Sequence, residues 1–166
     1  MTTLFTADTH FGHGSLRALL HRPFPDAAAM DEGLIAAWNG AVGPEDEIWH
    51  LGDFAVGHRD PAGILRRLNG RKHLIWGNND PPEIRALPGW ASVQPYAELT
   101  VEGQDLVLCH YPFRSWSGSS RGTLNLHGHS HGRLKPLPRQ HDVGVDAQGY
   151  RPVRLSDLRR PARRAA

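Results

Sequence analysis

Apolar and polar positions along the first half of this chain predict strand, loop and helix in turn. Residues 2–8 are short and rich in β-formers, and they lead into His10-Phe11-Gly12-His13-Gly14, a loop composition. Residues 15–20 suit a short helix. Residues 26–42 predict a longer one: Met30, Leu34, Ile35, Ala37 and Trp38 fall near helical spacing, Pro25-Asp26 suits its start, and Gly43-Pro44 stops it. Residues 47–51 read as a strand running into Gly52-Asp53. Asp60-Pro61 opens a helix through Ile64, Leu65 and Leu68, closed by Asn69-Gly70. Residues 72–76 make another strand, running into Gly77-Asn78-Asn79-Asp80. This alternation predicts an α/β core.

Beyond about residue 95 the pattern becomes β-rich. Segments 96–101 and 105–110 flank Glu102-Gly103-Gln104, a hairpin signature, and segments 123–126 and 141–145 read as further strands. The chain of 166 residues suits one domain, and no linker or repeat divides it, so a single domain over 1–155 is expected with an Arg-rich tail at 156–166. No run of 18 apolar residues occurs, so no membrane-spanning helix is expected. The first residues lack both a basic region and a long apolar core, which argues against a signal peptide and for a cytoplasmic location. Cys109 is the single cysteine, which excludes an internal disulfide and a thiolate-rich zinc site.

The net charge of +2 is unevenly placed: residues 151–166 hold six arginines and one aspartate on a slightly acidic body. Such an end suits contact with nucleic acid or anionic lipid, or a solvated terminus. Histidine changes the picture more, with 11 in the chain against two lysines. Four polar clusters fall at expected strand ends: Asp8-Thr9-His10, Gly52-Asp53, Gly77-Asn78-Asn79-Asp80 and Gly128-His129-Ser130-His131; His110 ends a fifth strand. In open α/β sheets functional groups gather beyond the carboxyl ends of strands. Residues i and i+2 of an extended chain project to one side, so Asp8 can converge with His10, and His129 with His131. With Asp53, Asn78 and His110 these make seven oxygen or nitrogen donors. If Asp53 bridges, each of two ions receives four protein ligands, the arrangement of a binuclear metal site.

Asp8-X-His10, Gly52-Asp53, Gly77-Asn78, His110 and Gly128-His129-X-His131, in this order, resemble the signatures of calcineurin-like metallophosphoesterases. The likeness runs from about Leu4 to Pro152 and includes His110-Tyr111-Pro112 and Val143-Gly144-Val145-Asp146. It implies a four-layer α-β-β-α sandwich with Asp8, His10 and His131 on one ion, Asn78, His110 and His129 on the other, and Asp53 bridging with a water or hydroxide. Coordination can lower water's pKa from about 15.7 toward about 7, and two divalent ions with two carboxylates and a hydroxide leave a charge of about +1, suited to a phosphodiester. Donors without thiolate fit Mn, Fe, Co, Ni or Zn, with Mn preferred.

One position departs from the pattern. Many members of the family carry His where this chain has Asn79, and that His is assigned to phosphate contact and to protonating the leaving oxygen. An amide can donate a hydrogen bond to phosphate but is no general acid. His13, just after His10, is the candidate replacement, and Arg114 the candidate phosphate clamp. The expected function is a phosphodiesterase acting on DNA, RNA or nucleotides, with a phosphomonoesterase or broad small-phosphate hydrolase, and a non-catalytic metal-binding scaffold, as alternatives. His50 is expected in the core, His127 behind the site, His21, His58 and His73 at the surface, and Trp38, Trp49, Trp76 and Trp90 in the core.

Overall fold

The computed structural model describes residues 1–135 and 137–158. Strands β1 (Thr3–Thr6), β2 (Glu47–His50), β3 (Arg71–Ile75) and β4 (Trp90–Gln94) are mutually parallel in the order β4-β3-β2-β1. The second sheet holds β5 (Tyr96–Val101), β6 (Gln104–Cys109), β7 (Leu124–His127) and β8 (Gln140–Asp142) in that order. The β5–β6 hairpin is antiparallel, and β6–β7 and β7–β8 are parallel. A last strand, β9 (Val153–Arg154), pairs antiparallel with β1 at the edge of the first sheet.

Five helices accompany these sheets among the described residues: α1 (Gly14–Leu19), α2 (Ala27–Ala41), α3 (Pro61–Arg67), α4 (Pro82–Arg85) and α5 (Leu155–Leu158). Local chemistry sets the ends of the two longest. Asp26 caps α2 by accepting the Ala29 N–H at 2.8 Å, and Asp60 caps α3 by accepting that of Gly63 at 2.7 Å, with Pro61 in the first turn. One face of α2 buries Met30, Leu34, Ile35 and Trp38 with Ile64 and Leu65 of α3 against Leu4 and Ile48 of the first sheet. A second core joins Phe5, Leu51 and Ile75 to Leu106, Leu108, Leu124 and Leu126, so it lies between the sheets. This is the expected sandwich of two sheets with flanking helices. Among the described residues, the β6–β7 crossover of the second sheet carries only a 3-10 turn, Ser119–Arg121.

Several local expectations change. Residues 153–158 fold as β9 and α5, and Val153, Leu155 and Leu158 join the core, so folded chain extends past the expected start of the tail at 156. The rest of that tail, 159–166, lies outside the described residues. Of the four tryptophans expected in the core, Trp38 is fully buried and Trp49, Trp76 and Trp90 are half-buried. His73 is not at the surface: it is buried, stacks on Trp49 with ring centroids 4.5 Å apart, and hydrogen-bonds Ser92 at 2.7 Å. His58 is half-buried beside Asp31.

His50 is a core residue, as expected. The Thr9 hydroxyl donates to Phe54 O at 2.8 Å and lies 2.9 Å from His50 Nε2, while His50 Nδ1 has no partner. Burial, then the neighbouring His110, pushes the His50 pKa down to about 3. Between about pH 6.5 and 3 the unfolded chain therefore takes up a proton here that the folded chain refuses, and stability falls as pH falls. Denaturant titrations with chelator present are expected to show this slope, and His50→Gln to flatten it by about 1.4 kcal/mol per pH unit.

Candidate metal centre

Strands β1, β2, β3, β6 and β7 all end toward one edge of the sandwich, and the loops that follow them carry the seven expected ligands. Two groups form there: Asp8, His10 and His131, and Asp8, Asp53 and His110, the ligand atoms within each lying no more than 4.8 Å apart. Asn78 joins the second, its Oδ1 3.1 Å from His110 Nε2. The His129 ring packs 5.1 Å from that of His110, and its backbone N–H donates to Asp8 at 2.9 Å. The Asp53 carboxylate lies between two imidazoles, with Oδ2 3.4 Å from His10 Nε2 and Oδ1 3.6 Å from His110 Nε2.

The convergence does not come from extended chain. Asp8, His10, Asp53, His129 and His131 all adopt the left-handed backbone region, with φ of 57, 49, 59, 66 and 50°. Asp and His enter this region at modest cost, and a cluster of such residues marks a site whose surroundings over-determine the backbone. The ligands thus converge through tight turns after the strands. Small residues make room for them: a Cβ on Gly128 would stand 2.6 Å from Ala7 Cβ and 2.7 Å from Asp8 Oδ2.

Hydrogen-bond accounting shows that the donor set fits a cation. Leu51 O accepts from His110 Nδ1 at 2.7 Å, so the neutral ring presents a bare Nε2 to Asn78 Oδ1 and Asp53 Oδ1. Asp146 accepts from His131 Nδ1 at 2.8 Å, which likewise leaves that Nε2 bare. His10 Nε2 is buried without a hydrogen-bond partner, and its Nδ1 lies 3.3 Å from His13 Nδ1. Lone pairs therefore face one another with no proton between them, the arrangement that a divalent ion satisfies.

Electrostatics point the same way. Burial, followed by repulsion from Asp53 and Asp142, raises the Asp8 pKa well above the carboxylate range. Burial, then the Arg22 charge, pushes His10 down to about 2, and burial also lowers His110. Asp8, His10, Asp53 and His110 make a buried floor to the site, whereas Asn78 and His129 are exposed and His131 is half-buried at the rim.

Other expected site residues are placed differently. Asn79 donates its backbone N–H to Asp53 Oδ1 at 2.8 Å and its side-chain amide to Oδ2 at 2.7 Å, so it holds the central carboxylate. His13 stands against the His10 ring, at 5.3 Å between centroids. Arg114 is not brought to the cluster: it is exposed and lines a recess of about 230 Å³ with Phe113, Leu134 and Leu137, where no ligand residue contributes. Spacing from His110 misjudged it because the chain leaves the sheet after β6.

Sequence reasoning missed Arg22 and the role of Asp80. Arg22 forms a bidentate pair with Asp146 at 2.9 and 2.7 Å. Burial would raise the Asp146 pKa, but hydrogen bonds from His131 and Arg22 outweigh it and keep the carboxylate below its ordinary range. Asp80 accepts the backbone N–H groups of Asp53, Phe54 and Gly77 at 2.7–2.8 Å and so locks two ligand loops together. Val143-Gly144-Val145-Asp146 carried a signal through its resemblance; Arg22, one arginine among many, carried none.

The family profile for calcineurin-like phosphoesterases matches residues 1–161. The chain belongs to this family. It is 31% identical over 176 residues to the Gene 66 protein of Mycobacterium phage D29, covering 86% of this chain and 87% of that one. It is 27% identical over 159 residues to the uncharacterized protein MJ1445 of Methanocaldococcus jannaschii, covering 90% and 84%. Among solved structures, the protein of unknown function AQ665 from Aquifex aeolicus superimposes with a TM-score of 0.71 at 21% identity, covering 94% of this chain and 96% of that one, a likeness of fold. Membership makes the cluster the candidate metal-binding centre of a phosphoester hydrolase.

Asp8→Asn tests the electrostatic account. Asn tolerates the left-handed backbone, removes one of two crowded carboxylates and can still accept the His129 N–H. In chelator the variant is expected to melt about 2–4 °C higher, a gain of roughly 1 kcal/mol. By calorimetry, added Mn²⁺ is expected to raise the melting temperature of the wild type and to leave that of the variant unchanged.

Proposed function

We propose that this chain is a binuclear-metal-dependent phosphodiesterase whose substrates are phosphodiesters of nucleic acids or nucleotides. The observation that carries the reading is the convergence of bare imidazole nitrogens from both sheets on two buried carboxylates. Asp8, His10 and His131 would hold one ion, Asn78, His110 and His129 the other, with Asp53 between them. The donor set suits Mn first, with Fe, Co, Ni or Zn as further matches. Bound divalent ions supply charge for the phosphate and acidify water to a nucleophile at neutral pH.

The chain's own residues do the rest. Asn79 orients Asp53 through both of its N–H contacts. For His10 to present Nε2 to a cation, its Nδ1 must carry the proton and donate to His13 Nδ1. His13 then keeps a neutral ring, able to hydrogen-bond a phosphate oxygen through Nε2 but not to protonate a leaving group. We therefore assign His13 a positioning role rather than that of general acid. Exposed Asn78 and His129 leave the rim open to an extended substrate. With Asn79 and a neutral His13 where a general acid would stand, leaving groups that depart as stable anions are favoured.

Turnover of a bis-aryl phosphodiester and the matching aryl monoester under Mn²⁺ tests the reading. The diester is expected to react faster and Asp53→Ala to abolish both activities. Faster monoester turnover would establish the phosphomonoesterase alternative, and no turnover with any divalent metal would leave a metal-binding scaffold. On a series of aryl diesters, His13→Gln is expected to slow good and poor leaving groups by the same factor. Asn79→His gives up the amide bond to Asp53 Oδ2, so overall turnover is expected to fall. Turnover of poor leaving groups relative to good ones should rise by a part of the roughly 10²–10⁴-fold that general acid catalysis contributes.

A further inference from the structure

Arg22 lies in the segment between α1 and α2, far along the chain from any other part of the site except residues 8–13. Its side chain has no solvent exposure, and all five of its N–H donors are engaged. Nε donates to Asp146 Oδ1 at 2.9 Å and Nη2 to Asp146 Oδ2 at 2.7 Å. Nη2 also donates to Asp8 O at 2.7 Å, and Nη1 donates to Thr9 O at 2.8 Å and to Met30 Sδ at 3.6 Å. No donor remains for a phosphate, so Arg22 is not a substrate clamp. Its partners are instead the backbone that carries two ligands and the carboxylate that touches a third.

We propose that Arg22 and Asp146 form a positioning unit that holds His131 as its Nδ1–H tautomer, Nε2 directed at Asp8 and His10, and so sets cation affinity on the His131 side. The proposal rests on the reading of the cluster as a metal centre. The carboxylate of Asp146 can only accept, so His131 Nδ1 must donate across their 2.8 Å contact. Arg22 holds both Asp146 oxygens, which fixes the plane of the carboxylate and the direction from which it approaches the imidazole. The same guanidinium caps the carbonyls of Asp8 and Thr9, in the turn where Asp8 and His10 take left-handed conformations. One side chain thus couples the ligand turn after β1 to the ligand turn after β7. His110 differs, since its Nδ1 is anchored by the carbonyl of Leu51 and owes nothing to Arg22. Lysine keeps the charge of Arg22 but not its planar fork.

The test begins with the metal-free wild-type chain. Nitrogen-15 NMR of its imidazoles is expected to show His131 protonated at Nδ1 and bare at Nε2; an Nε2–H tautomer would overturn the proposal. Asp146→Asn and Arg22→Lys are then titrated with Co²⁺ alone, following visible absorption and bound stoichiometry. One of the two ions is expected to bind about 10–100-fold more weakly with an altered spectrum, while the other stays within about threefold of wild type. Wild-type affinity and spectrum for both ions in Asp146→Asn would overturn the proposal, whatever the change in melting temperature.

Gln148→Ala separates positioning from general destabilisation. The neutral amide of Gln148 donates to Asp142 O at 2.6 Å in the loop that carries Asp146 but contacts no ligand ring. The variant is expected to lower the melting temperature with little change in Co²⁺ affinity, and an equal loss of affinity would count against a special role for Asp146. The wild-type tautomer decides the matter even where a variant does not fold. A wild-type chain that binds no Co²⁺ would overturn the metal-centre reading itself, a result distinct from a wild-type chain that binds Co²⁺ with the wrong His131 tautomer.

Discussion

Two carboxylates, Asp8 and Asp53, are buried within a few ångströms of each other, and the architecture around them serves to tolerate that placement. Removing such groups from water is costly, and close like charges add to the cost unless a cation compensates. Backbone N–H groups of His129 and Asn79 aim at the pair, three anchored imidazoles face it, and glycines at 77, 128 and 144 leave space where a Cβ would collide with a carboxylate. The left-handed turns that bring the ligands together hold further strain. Such a site is a liability to the folded chain until ions bind, when linkage returns the stability as affinity.

The carboxylates in and around the site divide by their hydrogen bonds. Asp80 accepts three backbone N–H groups and Asp142 accepts two, so both act as struts between loops. Asp146 faces an arginine and an imidazole. Only Asp8 and Asp53 sit among bare nitrogens. Carboxylates of one chemical type thus become ligand, strut or orienting group according to the donors that surround them, and the two sheets decide which donors those are.

Much of this was legible from pattern. The strands at β1, β2, β3, β5 and β6 and the helices α2 and α3 followed from apolar periodicity and from their Asp caps, and the ligand motifs fell at strand ends because parallel strands deliver their carboxyl ends to one edge. Elements of two to four residues, β9, α4 and α5, are too short to show a period, so the core role of Val153, Leu155 and Leu158 was hidden behind the arginines around them. Burial of His73 depends on Trp49 and Ser92 of neighbouring strands, which no local pattern reports. Extended-chain geometry correctly paired Asp8 with His10 but for the wrong reason, since the backbone there is left-handed.

The sequence by itself determined the donor types, their order and their attachment to strand ends, because those properties are carried by local residue identity and by the period of the apolar pattern. Tertiary structure alone decided which nitrogen of His110 and of His131 is free, that Asn79 holds Asp53, that Arg114 stands elsewhere, and that Arg22 belongs to the site. The physical reason is separation along the chain. The bond that orients His131 ends on an Asp146 whose own partner, Arg22, is 124 residues away. A proton's position on an imidazole follows from such a contact and leaves no trace in the neighbouring letters.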